Sequence, residues 1–358
     1  MRLKHLQRHA LAWLALTAGA TALAQTSDRV EGLRDNTPRW HALTDARLVL
    51  APGQVVEHGT VVLKDGVIVA AGANVAVPSG ARVWALSGRT VYAGFIDLAS
   101  TAGVPAALRE RGRAASAPAP AMPGRSNTSR NANVHPEQSV ATQLELKADE
   151  LKTARELGFT ALLAAPAKGI FRGQSALLAT GDNLDAKRTL IKADVAQHLA
   201  LDFERGRAAG YPNSLMGAIA LTRQTWNDAR WYGQANVGSE RREVNSSLAA
   251  LQAPLAGKQN VIFQADDEQD YLRIAKLRDE FALKVLLQGN GYEYRRAAQL
   301  KTLGMPVIVP LNYPAAPEIE NPDLAGDVPL QALQHWELAP SNLALLAEAG
   351  VEFTVSAR

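Results

Sequence analysis

Few side chains in this sequence are spaced as catalytic groups usually are. The 358 residues include seven histidines, and no two of them are spaced so that both could bind one metal ion. The best remaining pair for chemistry is His198 with Asp202. Two adjacent carboxylates, Asp266 and Asp267, directly follow an apolar stretch, where they could either act in a site or cap the next helix. We favour the capping role.

The motifs of several other enzyme classes are missing from the sequence. There is no Gly-x-Ser-x-Gly segment of the kind that presents a serine nucleophile. Residues 169–173 place Arg172 between glycines, but their spacing is wrong for a phosphate-binding loop. The chain has no cysteine, which excludes disulfides and thiol chemistry.

The elements that must position these side chains form two blocks. In the first, residues 42–92, short strands alternate with turn residues such as Asp65-Gly66, which predicts a small β-sandwich. In the second, residues 93–358, apolar strands such as residues 260–264 and 284–288 alternate with amphipathic helices such as residues 143–157 and 214–232. That alternation predicts an α/β fold with parallel strands, either a barrel or an open sheet. Residues 109–133 are rich in Ala, Pro, Arg, Ser and Asn, so we expect a mobile loop there.

The N-terminus has the pattern of an export signal. Residues 1–24 carry Arg2, Lys4 and Arg8, then an apolar stretch, and end in Ala22-Leu23-Ala24. We expect cleavage near Ala24, a polar leader over residues 25–41, and a periplasmic or secreted protein. The apolar stretch is too short for a stable membrane span. Without the signal the chain has 35 basic and 35 acidic residues, so its charge gives no reason to expect a nucleic-acid partner.

One passage resembles a known family. The strand, Asp-Gly hairpin, strand and turn before Thr90-Val91-Tyr92-Ala93-Gly94-Phe95-Ile96-Asp97 are similar to the opening of the amidohydrolase superfamily, as in imidazolonepropionases and dihydroorotase-like enzymes. The resemblance implies a (β/α)8 TIM-like barrel of the metal-dependent-hydrolase type, preceded by the small sandwich. It further implies zinc or another divalent metal, which would activate a water molecule to hydrolyse cyclic C–N bonds.

The metal-binding positions of that family are substituted in this chain. The His-x-His of the first barrel strand is replaced by Ala99 and Thr101. Gln264 and Gln288 stand where histidines of the fifth and sixth strands would be, and Ala357 stands near the aspartate of the eighth. Alanine offers no donor, and neutral oxygens bind zinc poorly. We therefore expect no metal cofactor and a pseudoenzyme.

Three functions follow from this comparison. The first is a structural or ligand-binding domain whose mouth binds a small polar ligand, lined by Asp97, Ala99, Thr101, Gln264, Gln288, Asn290 and Asn312. The second is an active hydrolase with atypical groups, for which the candidates are Asp97, His198, Asp202 and Asp266. The third is a periplasmic scaffold without a small-molecule site.

The sequence ends close to the predicted eighth barrel strand. The resemblance implies a further helix and more sandwich strands beyond that point. We therefore expect a C-terminally truncated chain. A second amidohydrolase domain or another chain would then complete the sandwich.

Overall fold

The structure, a computed structural model, describes residues 38–109, 127–182, 184–203, 210–234, 243–317 and 326–357. These residues form two compact units, one ending at Ala93 and the other beginning at Gly94. The predicted signal peptide lies outside the described residues, as do residues 25–37 of the predicted leader and residues 110–126 of the predicted loop. Residues 127–133 of that loop are hydrogen-bonded, for example from the Ser246 amide to the Asn127 carbonyl at 2.7 Å.

The small unit is a single five-stranded sheet. Its strands are β1 (Trp40–Ala51), β2 (Gln54–Lys64), β3 (Val67–Gly72), β4 (Arg82–Ala85) and β5 (Thr90–Tyr92). The order is β3-β2-β1-β4, and β5 pairs with a later stretch of the long β1. β4 and β5 both pair with β1, so the described residues of this unit form one continuous hydrogen-bonded sheet. The composite, incomplete sandwich predicted for residues 42–92 stays a prediction.

The hairpin between β2 and β3 has the turn that the sequence predicts. Asp65 and Gly66 both have positive φ angles, of 50° and 81°. Two-residue hairpin turns of this type need positive φ at both central positions, which Asp-Gly supplies at little cost. Arg39 also binds the Asp65 carboxylate, with 2.6 Å between Nη2 and Oδ2.

The large unit contains two sheets. The four-stranded sheet has β6 (Phe95–Ser100), β7 (Phe159–Ala164), β9 (Ala176–Ala179) and β10 (Leu190–Lys192), in the order β10-β9-β7-β6. The six-stranded sheet runs β15-β14-β13-β12-β11-β8. Its strands are β8 (Phe171–Gln174), β11 (Ala196–Ala200), β12 (Asn260–Gln264), β13 (Val285–Gln288), β14 (Val307–Pro310) and β15 (Phe353–Ser356). β11 to β15 are all parallel.

Short and medium helices connect these strands. They are α1 (Ala106–Arg109), α2 (Ala148–Glu156), α3 (Ala186–Thr189), α4 (Leu215–Gly233), α5 (Ser246–Ala250), α6 (Gln252–Leu255), α7 (Asp270–Phe281), α8 (Ala297–Leu303), α9 (Leu330–Leu338) and α10 (Asn342–Glu348). Three 3-10 turns lie at Val140–Thr142, Glu293–Arg296 and Ala339–Ser341. No helix in the described part of the chain combines the length and apolarity needed to span a membrane.

The predicted α/β fold is confirmed, but the predicted closed (β/α)8 barrel is not seen. β8 and β9 run antiparallel to their neighbours β11 and β7, and the chain passes from one sheet to the other at Ser175. β15 and β6 are joined by a side-chain hydrogen bond, from Ser356 Oγ to Asp97 Oδ1 at 2.8 Å. Because the described residues contain no backbone pairing between these two strands, the sheets do not close into one ladder.

The parallel strands are covered on both faces. Val261 and Phe263 of β12 belong to a large core cluster that includes Trp226, Tyr271 and Phe281 from the helices. Ile262, between them, packs with Leu163 and Ile308 in a second cluster. Strands buried on both faces are rigid supports, so the side chains at their carboxyl ends are held in fixed positions.

Candidate functional site

Polar residues lie around one cavity at the carboxyl ends of the parallel strands. Gln264 ends β12, Gln288 ends β13, and the two are register partners. Parallel strands end at the same edge, so their last side chains lie close together. The cavity measures about 510 Å³, a size typical of small-molecule sites. The predicted site residues that line it are Ala99, Gln264, Asp266, Gln288, Asn290 and Asn312.

A buried arginine contacts one wall of this cavity. Arg172 lies on β8, and its side chain is only 3% exposed. Its Nη1 donates to Oε1 of Gln264 at 2.6 Å, and its Nη2 donates to Oδ2 of Asp202 at 2.6 Å. Its Nε donates to the carbonyl of Gly169 at 3.1 Å. Asp202, a candidate catalytic carboxylate, therefore forms an ion pair with this guanidinium.

The arginine fixes which way the Gln264 amide points. Since Oε1 accepts from Arg172, Nε2 is directed away from it and donates to Oδ1 of Asp266 at 3.0 Å. Asp266 thus presents a carboxylate at the cavity wall. Its neighbour Asp267 accepts from the backbone amides of Gln269 and Asp270 at 2.7 and 3.0 Å, where α7 begins. Asp267 therefore holds the turn that leads into α7, but the N-cap position itself is Gln269, which makes no side-chain cap bond.

The loop after β13 is held by a buried glutamate. Glu293 is fully buried, and its Oε1 accepts from the backbone amides of Asn290 and Gly291 at 2.7 and 2.9 Å. The Asn290 side chain accepts from the Tyr271 hydroxyl and donates to the Asp266 carbonyl. Burial, followed by the neighbouring Glu293 carboxylate, raises the pKa of Tyr271 far above its usual range, so its hydroxyl stays a donor. The Asn290 amide is therefore used to build the wall.

Two other predicted amides have no such role. The side chains of Gln288 and Asn312 line the cavity, and no hydrogen bond joins either one to another described residue. Gln288 is half-buried and Asn312 is exposed. Each amide carries a carbonyl acceptor and two N–H donors. These are the polar groups best placed to meet a ligand.

The remaining predicted site residues do not line the cavity. Asp97 accepts from Ser356 Oγ at 2.8 Å and from the Ala99 amide at 3.2 Å. The Thr101 carbonyl accepts from the Val104 amide, and Ala357 is exposed after β15. His198 is buried on β11, with 3% of its surface exposed. The structure thus brings the amide positions together around the cavity, and Asp97 lies just behind its wall, bonded to the lining residues Ser356 and Ala99.

The donors at the family's metal positions do not fit a divalent metal ion. Ala99 and Ala357 have no donor atom, and the amide oxygen of Gln264 is already bound to the Arg172 guanidinium. A permanent positive charge at that distance repels a second cation. No three His, Cys, Asp or Glu side chains in the described ranges are grouped closely enough to hold a metal ion.

Arg172 is a site residue that was not predicted. Its flanking glycines suggested a loop, whereas the residue lies on β8. The available signal was a lone arginine directly after the apolar pair Ile170-Phe171, since a charge beside buried positions needs a partner.

The chain resembles solved amidohydrolases. No protein-family model matches it, and no curated protein matches it. An amidohydrolase from Thermotoga maritima is 16% identical with a TM-score of 0.65, over 88% of this chain and 78% of that chain. A prolidase complexed with N-methylphosphonate-L-proline is 14% identical with a TM-score of 0.42, over the same shares. A Xaa-Pro dipeptidase with bound methionine is 14% identical with a TM-score of 0.39, over 88% and 79%. The first likeness confirms the amidohydrolase resemblance at the level of the fold.

Proposed function

We propose that this chain is an amidohydrolase-fold domain that binds a small, neutral, polar ligand and has no metal centre of its own. The observation that carries the proposal is the Arg172 guanidinium bound to Gln264 and Asp202. It puts a permanent cation against a position where the family resemblance implies a metal ligand. Because Asp202 balances this charge, the guanidinium attracts an anionic ligand into the cavity only weakly.

The amide side chains support the neutral-ligand part of the proposal. Gln288 and Asn312 can each donate and accept, and the Gln264 amide points its nitrogen toward Asp266. Such groups bind amides, ureas or hydroxyls through paired hydrogen bonds, and several such bonds fix the orientation of a ligand. A ligand related to the cyclic amides of the superfamily fits this donor and acceptor set.

The fold type, the export and the partner of the domain belong to the same proposal. We infer that the chain is a pseudoenzyme of the barrel type, with the bent β8–β9 segment occupying one of eight strand positions. We further infer export after cleavage near Ala24, with a second amidohydrolase domain or chain as partner. The support for export and for the partner is the sequence pattern of residues 1–24 and the family resemblance.

Metal content and amide binding test the proposal together. Purified protein, dialysed without chelator, is assayed for zinc, and N-acetylglycinamide is titrated by ligand-observed NMR. We expect substoichiometric zinc and saturable binding that weakens about tenfold in Gln288→Ala. Arg223→Ala, at a surface ion pair, is the control and should leave binding unchanged.

Two other results would each overturn the proposal. Stoichiometric zinc that disappears in His198→Ala would establish the rival reading, a hydrolase with atypical ligands. Absence of any saturable amide binding would establish the scaffold reading.

A further inference from the structure

A second cavity adjoins the polar one, and its walls are mostly apolar. It measures about 540 Å³. Walls of this composition favour hydrocarbon groups, because apolar atoms leave water there without losing hydrogen bonds. The aliphatic residues that line it are Pro314, Ala315, Pro317, Val328, Pro329 and Ala332.

Tyr292 belongs to the lining of both cavities, so the two lie next to each other on either side of this residue. Its ring stacks on the His335 imidazole, with 3.7 Å between ring centres and 17° between ring planes. The Arg295 guanidinium carbon lies 4.7 Å from the centre of the same ring. His335 is also 3.2 Å from the Tyr294 hydroxyl through Nδ1. These contacts hold the partition between the cavities in one position.

The charges around the two cavities argue against a ligand carboxylate. Arg109 lines the polar cavity, but its Nη1 and Nη2 donate to the Glu150 carboxylate at 2.9 and 3.0 Å. Burial, then the Arg295 charge, lowers the pKa of His335 below its usual value, so this ring is neutral at pH 7. The other charged lining residues are Asp266 and Asp327, both acidic. Among the described lining residues, an anionic group would meet two carboxylates and no cation except Arg109, which Glu150 already binds.

We infer that the ligand has two parts, a neutral hydrogen-bonding group held by Gln288 and Asn312 and an apolar group that extends past Tyr292 into the proline-lined cavity. This inference rests on the proposed function and adds the ligand class to it. Capped amino-acid amides with an aliphatic side chain are the simplest molecules of that class. They combine two neutral amides with a branched hydrocarbon group.

Three compounds that differ in one feature each test the inference on the full chain. N-acetylglycinamide has the amides alone, N-acetyl-L-leucinamide adds the apolar group, and N-acetyl-L-leucine replaces one amide with a carboxylate. Ligand-observed NMR titration gives the three dissociation constants. We expect the leucinamide to bind at least about tenfold more tightly than the glycinamide, because the isobutyl group leaves water. The carboxylate should bind more weakly than the leucinamide.

A matched pair of variants tests whether the tighter binding of the leucinamide arises in the apolar cavity. Ala332→Glu puts a charge into the apolar cavity from an exposed position of α9, where the larger side chain is tolerated. Ala347→Glu makes the same change at an exposed position of α10, outside both cavities. We expect Ala332→Glu to abolish the preference for leucinamide while glycinamide binding is kept, and Ala347→Glu to change neither.

The outcomes separate this inference from the function on which it rests. If glycinamide and leucinamide bind equally, or if Ala332→Glu keeps the preference, the apolar part of the inference is wrong and the polar site stands. If none of the compounds binds, the proposed function itself is wrong.

Discussion

At the scale of single residues, Arg172 has the largest influence on the site. A guanidinium with 3% exposure has lost nearly all its water, a cost that only well-placed acceptors can offset. Gln264, Asp202 and the Gly169 carbonyl supply them. The same bonds decide that Gln264 turns its nitrogen toward Asp266. One buried charge therefore determines both local stability and the hydrogen-bonding character of the cavity wall.

Replacing this arginine should be costly. In Arg172→Met, Asp202 loses its cation and Gln264 loses its donor, so we expect unfolding free energy to fall by about 3 kcal/mol. The matched change Arg223→Met breaks an ion pair with Glu280 whose side chains are 43% and 35% exposed, and should cost less than about 1 kcal/mol. Urea unfolding followed by circular dichroism measures both.

A double variant checks the physical reason for that loss. In Arg172→Met with Asp202→Asn, no carboxylate is left without its partner, so part of the lost stability should return. A double variant no more stable than Arg172→Met alone would contradict this explanation.

At the scale of elements, an ion pair ties α1 to α2. Arg109, at the end of α1, binds the Glu150 carboxylate of α2 through two hydrogen bonds. The Gly103 amide also donates to Glu150, at 3.2 Å. Burial alone would raise the pKa of Glu150, but the Arg109 and Gly103 hydrogen bonds outweigh it and lower the pKa below the ordinary 4.5.

The lowered pKa of Glu150 predicts how the stability contributed by its ion pair with Arg109 depends on pH. A depressed carboxyl pKa adds stability that is complete above about pH 4.5 and is lost as the pH falls through the folded-state value. Glu150→Gln should therefore cost about 1–2 kcal/mol at pH 7, with the difference from the parent shrinking below pH 4.5. Thermal unfolding across pH 3 to 7 tests this.

A neighbouring carboxylate provides the control for that experiment. Glu156 makes only a surface pair with Lys152, at 3.8 Å and 65% exposure of both side chains. Glu156→Gln should change stability by less than about 1 kcal/mol at any of these pH values. A difference for Glu150→Gln that stays constant down to pH 3 would show that its charge plays no part.

Elements with strong local patterns could be predicted from the sequence, and those set by distant contacts could not. The strands at β3, β12 and β13 and the long helix α4 are confirmed, since their apolar runs and the Ser214 cap are local signals. The helix predicted over residues 143–157 begins only at Ala148. Residues 143–147 lack helical backbone because Glu145 pairs with Gly103 across 42 residues of sequence. Local periodicity contains no information about such a pairing.

The candidate site shows the same division. Gln264, Gln288 and Asn312 could be found because they follow apolar strands, and parallel strands place their ends together. Arg172 was harder to find, since its one local signal is a charge after two apolar residues, and β8 is short, contains Gly173 and runs antiparallel to β11. Asn290 was predicted to line the ligand site, and it does line the cavity. Its side-chain amide also bonds the Tyr271 hydroxyl, a tertiary contact that the sequence does not indicate.

At the scale of the whole molecule, the two units have cores of very different size. The small sheet's core cluster has three buried side chains, Ala46, Leu48 and Val61, with partly buried neighbours around them. The large unit has an extended cluster that contains Trp226, Tyr271 and several phenylalanines. Small cores exclude little apolar area from water and provide little stability.

Hydrogen exchange should therefore distinguish the two units. With rising urea, we expect amides of β1, central in the small sheet, to lose protection before amides of β12, central in the large one. In water, exchange from β1 should be at least about tenfold faster. Both strands lie inside their sheets, so exposure at an edge does not account for the difference. Equal exchange at every urea concentration would mean that the chain unfolds as one cooperative unit.

The buried guanidinium has a consequence for where and when such a site can work. A metal-dependent pocket is assembled only when its ion is supplied, and it can be emptied by chelators or by competition for scarce zinc. Arg172 is made with the chain, and it keeps its proton at any pH that a cell experiences. Under the proposed function, the cavity beside it is therefore complete as soon as the polypeptide folds, in metal-poor surroundings as in rich ones.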